Sequence, residues 1–227
     1  MVKIINLVLY NDDNKNYVQM YQILKEHYKK YSNVTTFFYK YKNNLQNEIE
    51  LDGNIINIKG EETYIPGILN KTIIALDFVQ TNITDFDYIV RSNISSIIDF
   101  KLLSTELEKN EIEYYGGTKL IMNDNIPFAS GTNIILSTKG VQLLIDNKDL
   151  LNTGIIDDVS ISKLFNYLKI EPKKITTNKF ITIPHIYNEK LFQEIMNNNY
   201  VLYRNKQSNR DIDVEQMKMI TSALREK

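Results

Sequence analysis

The stretch that decides the fold is FDYIVRSNISSIIDF, from Phe86 to Phe100. Its first part, ending at Val90, is an apolar run that suits a strand buried on both faces, as in a parallel sheet. Three polar residues, Arg91 to Asn93, follow, and Ser95 or Ser96 is placed to cap a helix. Ligands of open α/β sheets bind beyond the carboxyl ends of such strands, beside helix N-termini that favour anions. We therefore expect the three polar residues at the mouth of a site for an anionic ligand.

Strands and helices alternate before this stretch. Lys3 to Tyr10 is an apolar run typical of a first strand, and residues from Tyr17 to Tyr31 repeat apolar side chains at helical spacing. Val34 to Tyr41 reads as a second strand, which completes a βαβ unit with a right-handed crossover. Glu48 to Lys59 has an Asp-Gly pair between alternating apolar runs and predicts a hairpin or an edge strand. The order predicts an α/β fold with a mostly parallel central sheet flanked by helices.

The rest of the chain continues this pattern and becomes less regular in its last third. Gly116-Gly117 marks a turn or a close approach after a short strand from Glu113 to Tyr115. Further elements are expected as helices at Pro66–Phe78, Thr138–Asp146, Asp157–Leu168 and Asp213–Arg225, a loop and strand at Pro127–Ser137, and extended runs near Ile181 and Val201. No repeat or linker divides the chain, so we predict a single domain over residues 1–227.

Composition excludes several classes of protein. The chain has 227 residues, of which 43% are hydrophobic, a net charge of −1 and no cysteine. No apolar run approaches the length of about 18 residues that a membrane span needs, and the net charge disfavours general nucleic-acid binding. The first residues show no secretory signal, and the lack of cysteine fits a cytoplasmic location.

Four segments in order resemble the nucleotide-sugar glycosyltransferases of the GT-A fold, especially the β-1,3-galactosyltransferase-like branch and its bacterial and large-virus relatives. They lie between Glu61 and Pro172, and are EETYIPGILNKTIIAL, DYIVRSN, PFASGTNIILSTKGVQLL and IIDDVSISKLFNYLKIEP. The resemblance implies a GT-A-like domain that moves a sugar from a nucleotide diphosphate donor, most often UDP-linked, to a hydroxyl of a glycan or glycosylated carrier. It also implies inversion at the sugar carbon, and a bacterial or viral origin.

The resemblance fails at one functional position. DYIVRSN occupies the place of the family's Asp-x-Asp segment, whose carboxylates bind a divalent ion, but the aligned residues here are Arg91, Ser92 and Asn93. We expect no resident metal ligand, although Asn93 offers one oxygen to a weakly held Mn²⁺ or Mg²⁺. Arg91 is expected to hold phosphate in place of the metal charge. The alternative is that Arg91 only pairs with an acid such as Asp87 or Asp99.

The resemblance also assigns acceptor-side residues. It places the general base on Asp158, which would take the proton of the acceptor hydroxyl. Asp157, Ser130 and Gly131 would face the acceptor. The alternative for the two acids is that they only begin a helix and stabilise the positive end of its dipole.

Further residues are expected on the donor side. A cluster of Arg204, Lys206 and Arg210 is similar to a tail that folds over the donor phosphates in relatives, where cations stabilise the leaving diphosphate. The alternative is that these basic residues form only a solvated surface. Tyr10, at the end of the first strand, and Lys71, in the Lys-Thr helix, complete the donor-side set.

Two other functions remain open at this stage. A non-catalytic glycan- or nucleotide-binding relative would explain the missing carboxylates. A nucleotidyltransferase acting on sugar phosphates shares the ligand chemistry, but the chain has no Gly-rich N-terminal loop of that class. His27 and His185 lack clustered acids, so a zinc site is not expected. The sequence does not predict an oligomeric state.

Overall fold

The computed structural model describes residues 1–122, 125–175, 180–183 (backbone only), 193, 195 and 197–226. The strands are β1 (Ile4–Leu9), β2 (Val34–Lys42), β3 (Ile49–Asp52), β4 (Ile55–Lys59), β5 (Tyr88–Asn93), β6 (Ser96–Ile98), β7 (Tyr115–Ile121), β8 (Pro127–Ser137), β9 (Lys173–Lys174), β10 (Phe180–Ile183) and β11 (Leu202–Asn205). The helices are α1 (Lys15–Tyr28), α2 (Gly67–Asn82), α3 (Phe100–Lys109), α4 (Thr138–Asp146), α5 (Asp157–Tyr167) and α6 (Arg210–Glu226), with a 3₁₀ turn at Lys148–Leu150.

The central sheet is mixed and mostly parallel, as the sequence predicted. Its strand order over the described residues is β3-β4-β2-β1-β5-β8-β7-β9. Strands β4, β2, β1 and β5 are parallel to one another. Strands β3 and β8, which pair with β4 and β5, run in the opposite direction. The βαβ unit from β1 through α1 to β2 is present, and Glu48–Lys59 forms the β3–β4 hairpin at the sheet edge.

Helices cover both faces of this sheet because β1 alternates its apolar side chains. Ile4 and Val8 point to the core shared with α1, α3 and α6, whereas Ile5 and Leu7 point to the core shared with α2, α4 and α5. Leu7 and Val8 are fully buried, and full burial of an aliphatic side chain of this size contributes about 1.5–3 kcal/mol. Burial on both faces explains why β1 reads as a continuous apolar run.

The predicted start of the helix, at Ser95 or Ser96, is wrong. Ser96–Ile98 forms β6 instead, which pairs antiparallel with β11 and brings Arg204 opposite Ser96. The helix begins later, at α3, where the Asp99 side chain accepts hydrogen bonds from the backbone N–H groups of Lys101 and Leu102. An aspartate caps a helix at least as well as a serine, and the β-branched pair before it favours a strand.

Two strands are longer than the sequence indicated. Arg91, Ser92 and Asn93 belong to β5 rather than to a loop, with Leu9 paired to Asn93 in parallel register. β7 continues through Gly116 and Gly117 to Ile121. At Gly117, φ is +141°, and a Cβ would lie 2.1 Å from the Asn133 carbonyl oxygen. The Gly-Gly pair therefore serves a close approach between strands and not a turn.

Candidate active site

A cleft of about 410 Å³ opens at the carboxyl ends of β1 and β5. These ends coincide because Leu9 and Asn93 are register partners. The cleft lies where open α/β sheets bind ligands. Six of the eight residues expected on the donor side line it: Tyr10, Lys71, Asn93, Arg204, Lys206 and Arg210.

The C-terminal strand β11 delivers the cations to this cleft. Arg204 lies opposite Ser96 in the three-stranded sheet, and the Asn205 amide donates to the Ser95 carbonyl at 3.0 Å. Within the described part of the chain, the side chains of Arg204 and Lys206 make no hydrogen bond or ion pair. Burial lowers the pKa of Arg204, and the charge of Asp158 opposes this shift. Two cationic side chains without a partner among the described residues therefore face the cleft.

Arg210 is held in place at the first turn of α6. Its guanidinium lies 2.5 Å from the Asp213 carboxylate and 5.9 Å from the centre of the Tyr17 ring. Asp213 also accepts a hydrogen bond from the backbone N–H of Gln207 at 3.1 Å. Arg210 is therefore less free than its two neighbours to bind an anion.

Lys71 and Tyr10 form a buried wall of the cleft. The Lys71 ammonium donates to both Glu62 oxygens, at 2.5 and 2.7 Å, and to the Tyr10 carbonyl at 3.2 Å. Burial lowers the pKa of Lys71, and Glu62 acts in the opposite direction. The Tyr10 ring stacks on Tyr21 with centroids 5.2 Å apart, and burial, followed by the nearby Asp12, raises the pKa of Tyr10 to about 12.

Arg91 and Ser92 do not line the cleft, contrary to the position expected for them. Ser92 is fully buried, and its hydroxyl donates to Asn6 Oδ1 at 3.1 Å. Arg91 is only 1% exposed and lies on the sheet face that α5 covers. Arg91 and Asn93 are two residues apart on β5 and so lie on the same face, but Asn93 is the last residue of the strand and lines the cleft while Arg91 lies one step further from the strand end, beneath it.

Arg91 is surrounded by groups that accept hydrogen bonds from its guanidinium or pair with its charge. Its Nη2 lies 2.6 Å from Asp157 Oδ2, and its Nη1 donates to Asn93 Oδ1 at 2.7 Å and to the Gly131 carbonyl oxygen. The alternative interpretation, that Arg91 pairs with an acid, therefore agrees with the structure, but the acid is Asp157; Asp87 accepts from the Lys3 backbone N–H and Asp99 caps α3.

The charge of Arg91 is influenced by both Asp157 and Asp158. Burial acts to lower the pKa of Arg91, but the charges of Asp157 and Asp158 raise it above its ordinary value. Burial raises the pKa of Asp157, and Arg91 opposes this shift. The guanidinium therefore stays charged beneath the cleft floor.

The acidic pair begins α5 and meets β8. Asp158 Oδ2 accepts a hydrogen bond from the Gly131 N–H at 2.8 Å, and its Oδ1 accepts from the Val159 N–H at 2.9 Å. The second bond is of the kind that stabilises a helix start, whereas the first joins two elements of the fold. Ser130, the other acceptor-side prediction, is buried and its hydroxyl accepts from Thr132 Oγ1 at 3.1 Å.

The residues present do not fit a divalent metal. Hard cations prefer carboxylate oxygens, but Asn93 Oδ1 already accepts from Arg91. The charged residues lining the cleft are four cations and Glu62, whose carboxylate is bound to Lys71. No group of three or more potential metal ligands occurs in the part of the chain that the structure describes. His27 is buried away from the cleft, and His185 lies outside the described residues.

Sequence reasoning missed several residues of the cleft and its floor. Glu62 and Tyr64 line the cleft, Tyr64 with 68% of its surface exposed, and Asp157 was not expected to pair with Arg91. Glu62 lies in the segment before α2, and its carboxylate reaches Lys71, nine residues later. No periodic pattern in the sequence indicates the Glu62–Lys71 pair or the Arg91–Asp157 pair.

Comparison with known proteins gives a relationship at the level of the fold. No family model matches the chain, and no curated protein matches it. A solved glycosyltransferase involved in glycosylation of the major capsid of PBCV-1 is similar with a TM-score of 0.59 and 8% identity, over 96% of this chain and 99% of that one. The apo form of the glycosyltransferase GlyE of Streptococcus pneumoniae TIGR4 is similar with a TM-score of 0.52 and 15% identity, over 99% of this chain and 63% of that one. The chain thus has a fold that glycosyltransferases share.

Across the described residues, no helix is both long enough and apolar enough to cross a membrane.

Proposed function

We propose that the protein is a glycosyltransferase that binds a nucleotide diphosphate sugar in the cleft and transfers the sugar to a hydroxyl of a glycan or glycosylated carrier. One observation carries the proposal: the side chains of Arg204 and Lys206, free of protein partners in the described structure, line the cleft at the carboxyl ends of β1 and β5, and Arg204 is close enough to Asp158 for the charge of that acid to affect its pKa. The fold shared with solved glycosyltransferases supports it. A UDP-linked donor is the first choice because of the sequence resemblance.

The cations take the role of phosphate ligands. Arginine matches phosphate oxygens with two parallel N–H bonds, and lysine adds a mobile point charge. Arg204 and Lys206 would bind the diphosphate, with Arg210 at the rim. The charge that develops on the leaving nucleoside diphosphate is then stabilised by groups already in place, which lowers the barrier more than it tightens ground-state binding.

Asp158 is the proposed general base. The acceptor hydroxyl oxygen attacks the anomeric carbon, its proton passes to the Asp158 carboxylate, and the bond between that carbon and the diphosphate oxygen breaks. The products are the elongated glycan and the nucleoside diphosphate. Single displacement of this kind inverts the anomeric centre. Each carboxylate oxygen has a second lone pair beyond the one that accepts a backbone N–H.

Donor binding is proposed to be independent of metal. The cleft supplies cations where carboxylate ligands would be needed to hold Mn²⁺ or Mg²⁺. Four cations against one carboxylate give the cleft a net positive charge that already matches a diphosphate.

One observation favours a second candidate, a non-catalytic domain that binds nucleotides or glycans. Both Asp158 oxygens already accept a backbone N–H, so the carboxylate also has a structural role. In that case the donor would bind the same cations and remain intact.

The two candidates are separated by incubating the protein with a panel of UDP-, GDP-, TDP- and CMP-sugars and simple glycan acceptors, with EDTA or with Mn²⁺. Acceptor-dependent release of nucleotide, lost in Asp158→Asn and kept in Asp149→Asn, supports transfer. Asp149 is an exposed acid on the 3₁₀ turn and serves as the matched control. Donor binding without release would support the second candidate. Release only with Mn²⁺ would contradict metal-independent binding.

A further inference from the structure

Arg91 lies one layer below the cleft, at the point where three elements meet. Its side chain runs from β5 to the first residue of α5 and to β8, and contacts Asp157, Gly131 and Asn93. Among the residues that the structure describes, it is the largest fully buried side chain. An arginine this deeply buried needs a partner for its charge and acceptors for its N–H groups. Asp157 partners the charge and Gly131 and Asn93 accept from Nη1, whereas Nε has no hydrogen-bond partner in the described structure.

Gly131 connects Arg91 to Asp158. Its carbonyl oxygen accepts from Arg91 Nη1, while its own N–H donates to Asp158 Oδ2 at 2.8 Å. A Cβ at this position would lie 2.9 Å from Arg91 Nη1 and 3.1 Å from Asp158 Oδ2. The backbone of β8 is therefore held between the guanidinium and the carboxylate with no room for a side chain.

The contacts of Arg91 use the geometry of the guanidinium and not its charge alone. Nη1 serves Gly131 and Asn93, while Nη2 faces Asp157. A lysine at this site would keep the charge but present a single nitrogen, which cannot reach all three groups at once. Asn93 is the only one of the three that lines the cleft.

We propose that Arg91 is a positioning residue: it fixes Gly131, and through Gly131 the orientation of the Asp158 carboxylate, and it does not bind the donor. The pairing with Asp157 anchors Arg91 so that this orientation is maintained. The proposal rests on the proposed function for the role of Asp158, but the contact network itself is testable without catalysis.

Kinetics distinguish positioning from donor binding. In Arg91→Lys, we expect kcat to fall by about tenfold to a hundredfold, which is the loss that a misplaced catalytic group causes. Donor KM and UDP affinity should remain unchanged. Arg204→Lys is the matched control, because Arg204 lines the cleft and its change should raise donor KM and weaken UDP binding. Weaker UDP binding in Arg91→Lys with kcat unchanged would show that Arg91 is a donor ligand and overturn the proposal.

Glycine-selective ¹⁵N labelling provides a readout that does not need activity. The chain has eight glycines, so the amide spectrum is simple, and Asp158→Asn identifies the Gly131 resonance by its shift. We expect Arg91→Lys to move the same resonance and to leave that of Gly154 in place. If Gly131 does not move, the proposal is wrong, whether or not transfer is observed.

A second variant guards against simple loss of folding. Arg91→Met combined with Asp157→Leu removes both buried charges together, which proteins tolerate far better than loss of one partner. We expect this variant to fold and to bind UDP with unchanged affinity, with a displaced Gly131 resonance and a lowered kcat. Retention of kcat and of the Gly131 resonance would overturn the proposal.

Absence of transfer with every donor in the unmodified protein would refute the proposed function alone, and the resonance of Gly131 would still decide the role of Arg91.

Discussion

The amide nitrogen of Gly131 lies 2.8 Å from Asp158 Oδ2, so a hydrogen bond joins strand β8 to the start of helix α5. The two residues come from different elements, and an acid that only stabilised its own helix would not need this bond. The bond leaves the carboxylate with a defined direction before any ligand arrives. Preorganisation of this kind is what a general base requires.

Gly131→Ala tests this relationship. The new methyl group would lie 2.9 Å from Arg91 Nη1 and 3.1 Å from Asp158 Oδ2, so the carboxylate must shift. We expect unfolding free energy to fall by about 1–3 kcal/mol, as in other overpacked sites, and transfer to fall more than about tenfold. Urea unfolding and the nucleotide-release assay measure the two effects. Gly154→Ala is the control, because its Cβ would meet only the Asn152 side chain at 3.2 Å. Equal effects of the two substitutions would contradict the interpretation.

The free cations lead to a prediction on donor affinity. Arg204→Ala and Lys206→Ala should each weaken UDP binding by about 10- to 100-fold, the loss expected for one or two hydrogen bonds to a charged group. Titration calorimetry with UDP in the presence of EDTA measures the change. Lys218→Ala, at an exposed lysine on α6 paired with Glu215, should leave affinity unchanged. A loss of the same size in the Lys218 variant would mean that binding responds only to net charge.

Much of the fold was predictable because the signals are local. The apolar run of β1, the Asp-Gly pair of the β3–β4 hairpin and the helix Thr138–Asp146 each depend on a few neighbouring residues, and the structure confirms them. The helix start at Asp99 was missed because Ser95 and Ser96 also fit a cap. Only pairing with β11, more than 100 residues later, makes Ser96–Ile98 a strand.

Without the family resemblance, which supplied Lys71, Arg204, Lys206 and Arg210, the candidate site was predictable only where it follows strand ends. Tyr10 and Asn93 reach the cleft because sheet topology places the ends of parallel strands together. Arg91 was expected beside them, but it lies two residues before the end of β5 and is buried against Asp157, which is far along the chain. A buried ion pair between distant residues leaves no periodic trace, so a single sequence does not reveal it.

The Lys71–Glu62 pair predicts a large and partly recoverable loss of stability. Lys71 is buried with its ammonium 2.5 Å from the Glu62 carboxylate. Lys71→Met leaves that carboxylate without its cation, so we expect unfolding free energy to fall by about 3 kcal/mol, at the low end for a broken buried pair because Glu62 is partly exposed. Adding Glu62→Gln should recover part of the loss. Urea unfolding of the four members of the cycle gives the coupling. Additive losses would show that the two side chains do not interact.

His27 predicts a specific sensitivity to acid. Both ring nitrogens are buried without a hydrogen-bond partner in the described structure, and burial, followed by the charges of Lys30 and Arg225, lowers the pKa of His27 to about 3. In the unfolded chain the pKa is near 6.5. Between these two pKa values the unfolded state binds a proton at His27 and the folded state does not. The free energy of unfolding therefore falls as pH falls from about 6.5 towards about 3. Near pH 4.5 this amounts to about 2–3 kcal/mol.

His27→Leu removes this titration and the two unpaired nitrogens together. We expect the variant to be at least as stable at neutral pH, and the difference between it and the unmodified protein to grow by about 2–3 kcal/mol between pH 7 and 4.5. Urea unfolding across this range measures it. Lys25→Gln, at an exposed position of the same helix, is the matched control, and its difference from the unmodified protein should stay constant. A constant difference for His27→Leu as well would show that His27 protonates equally in the folded and unfolded states.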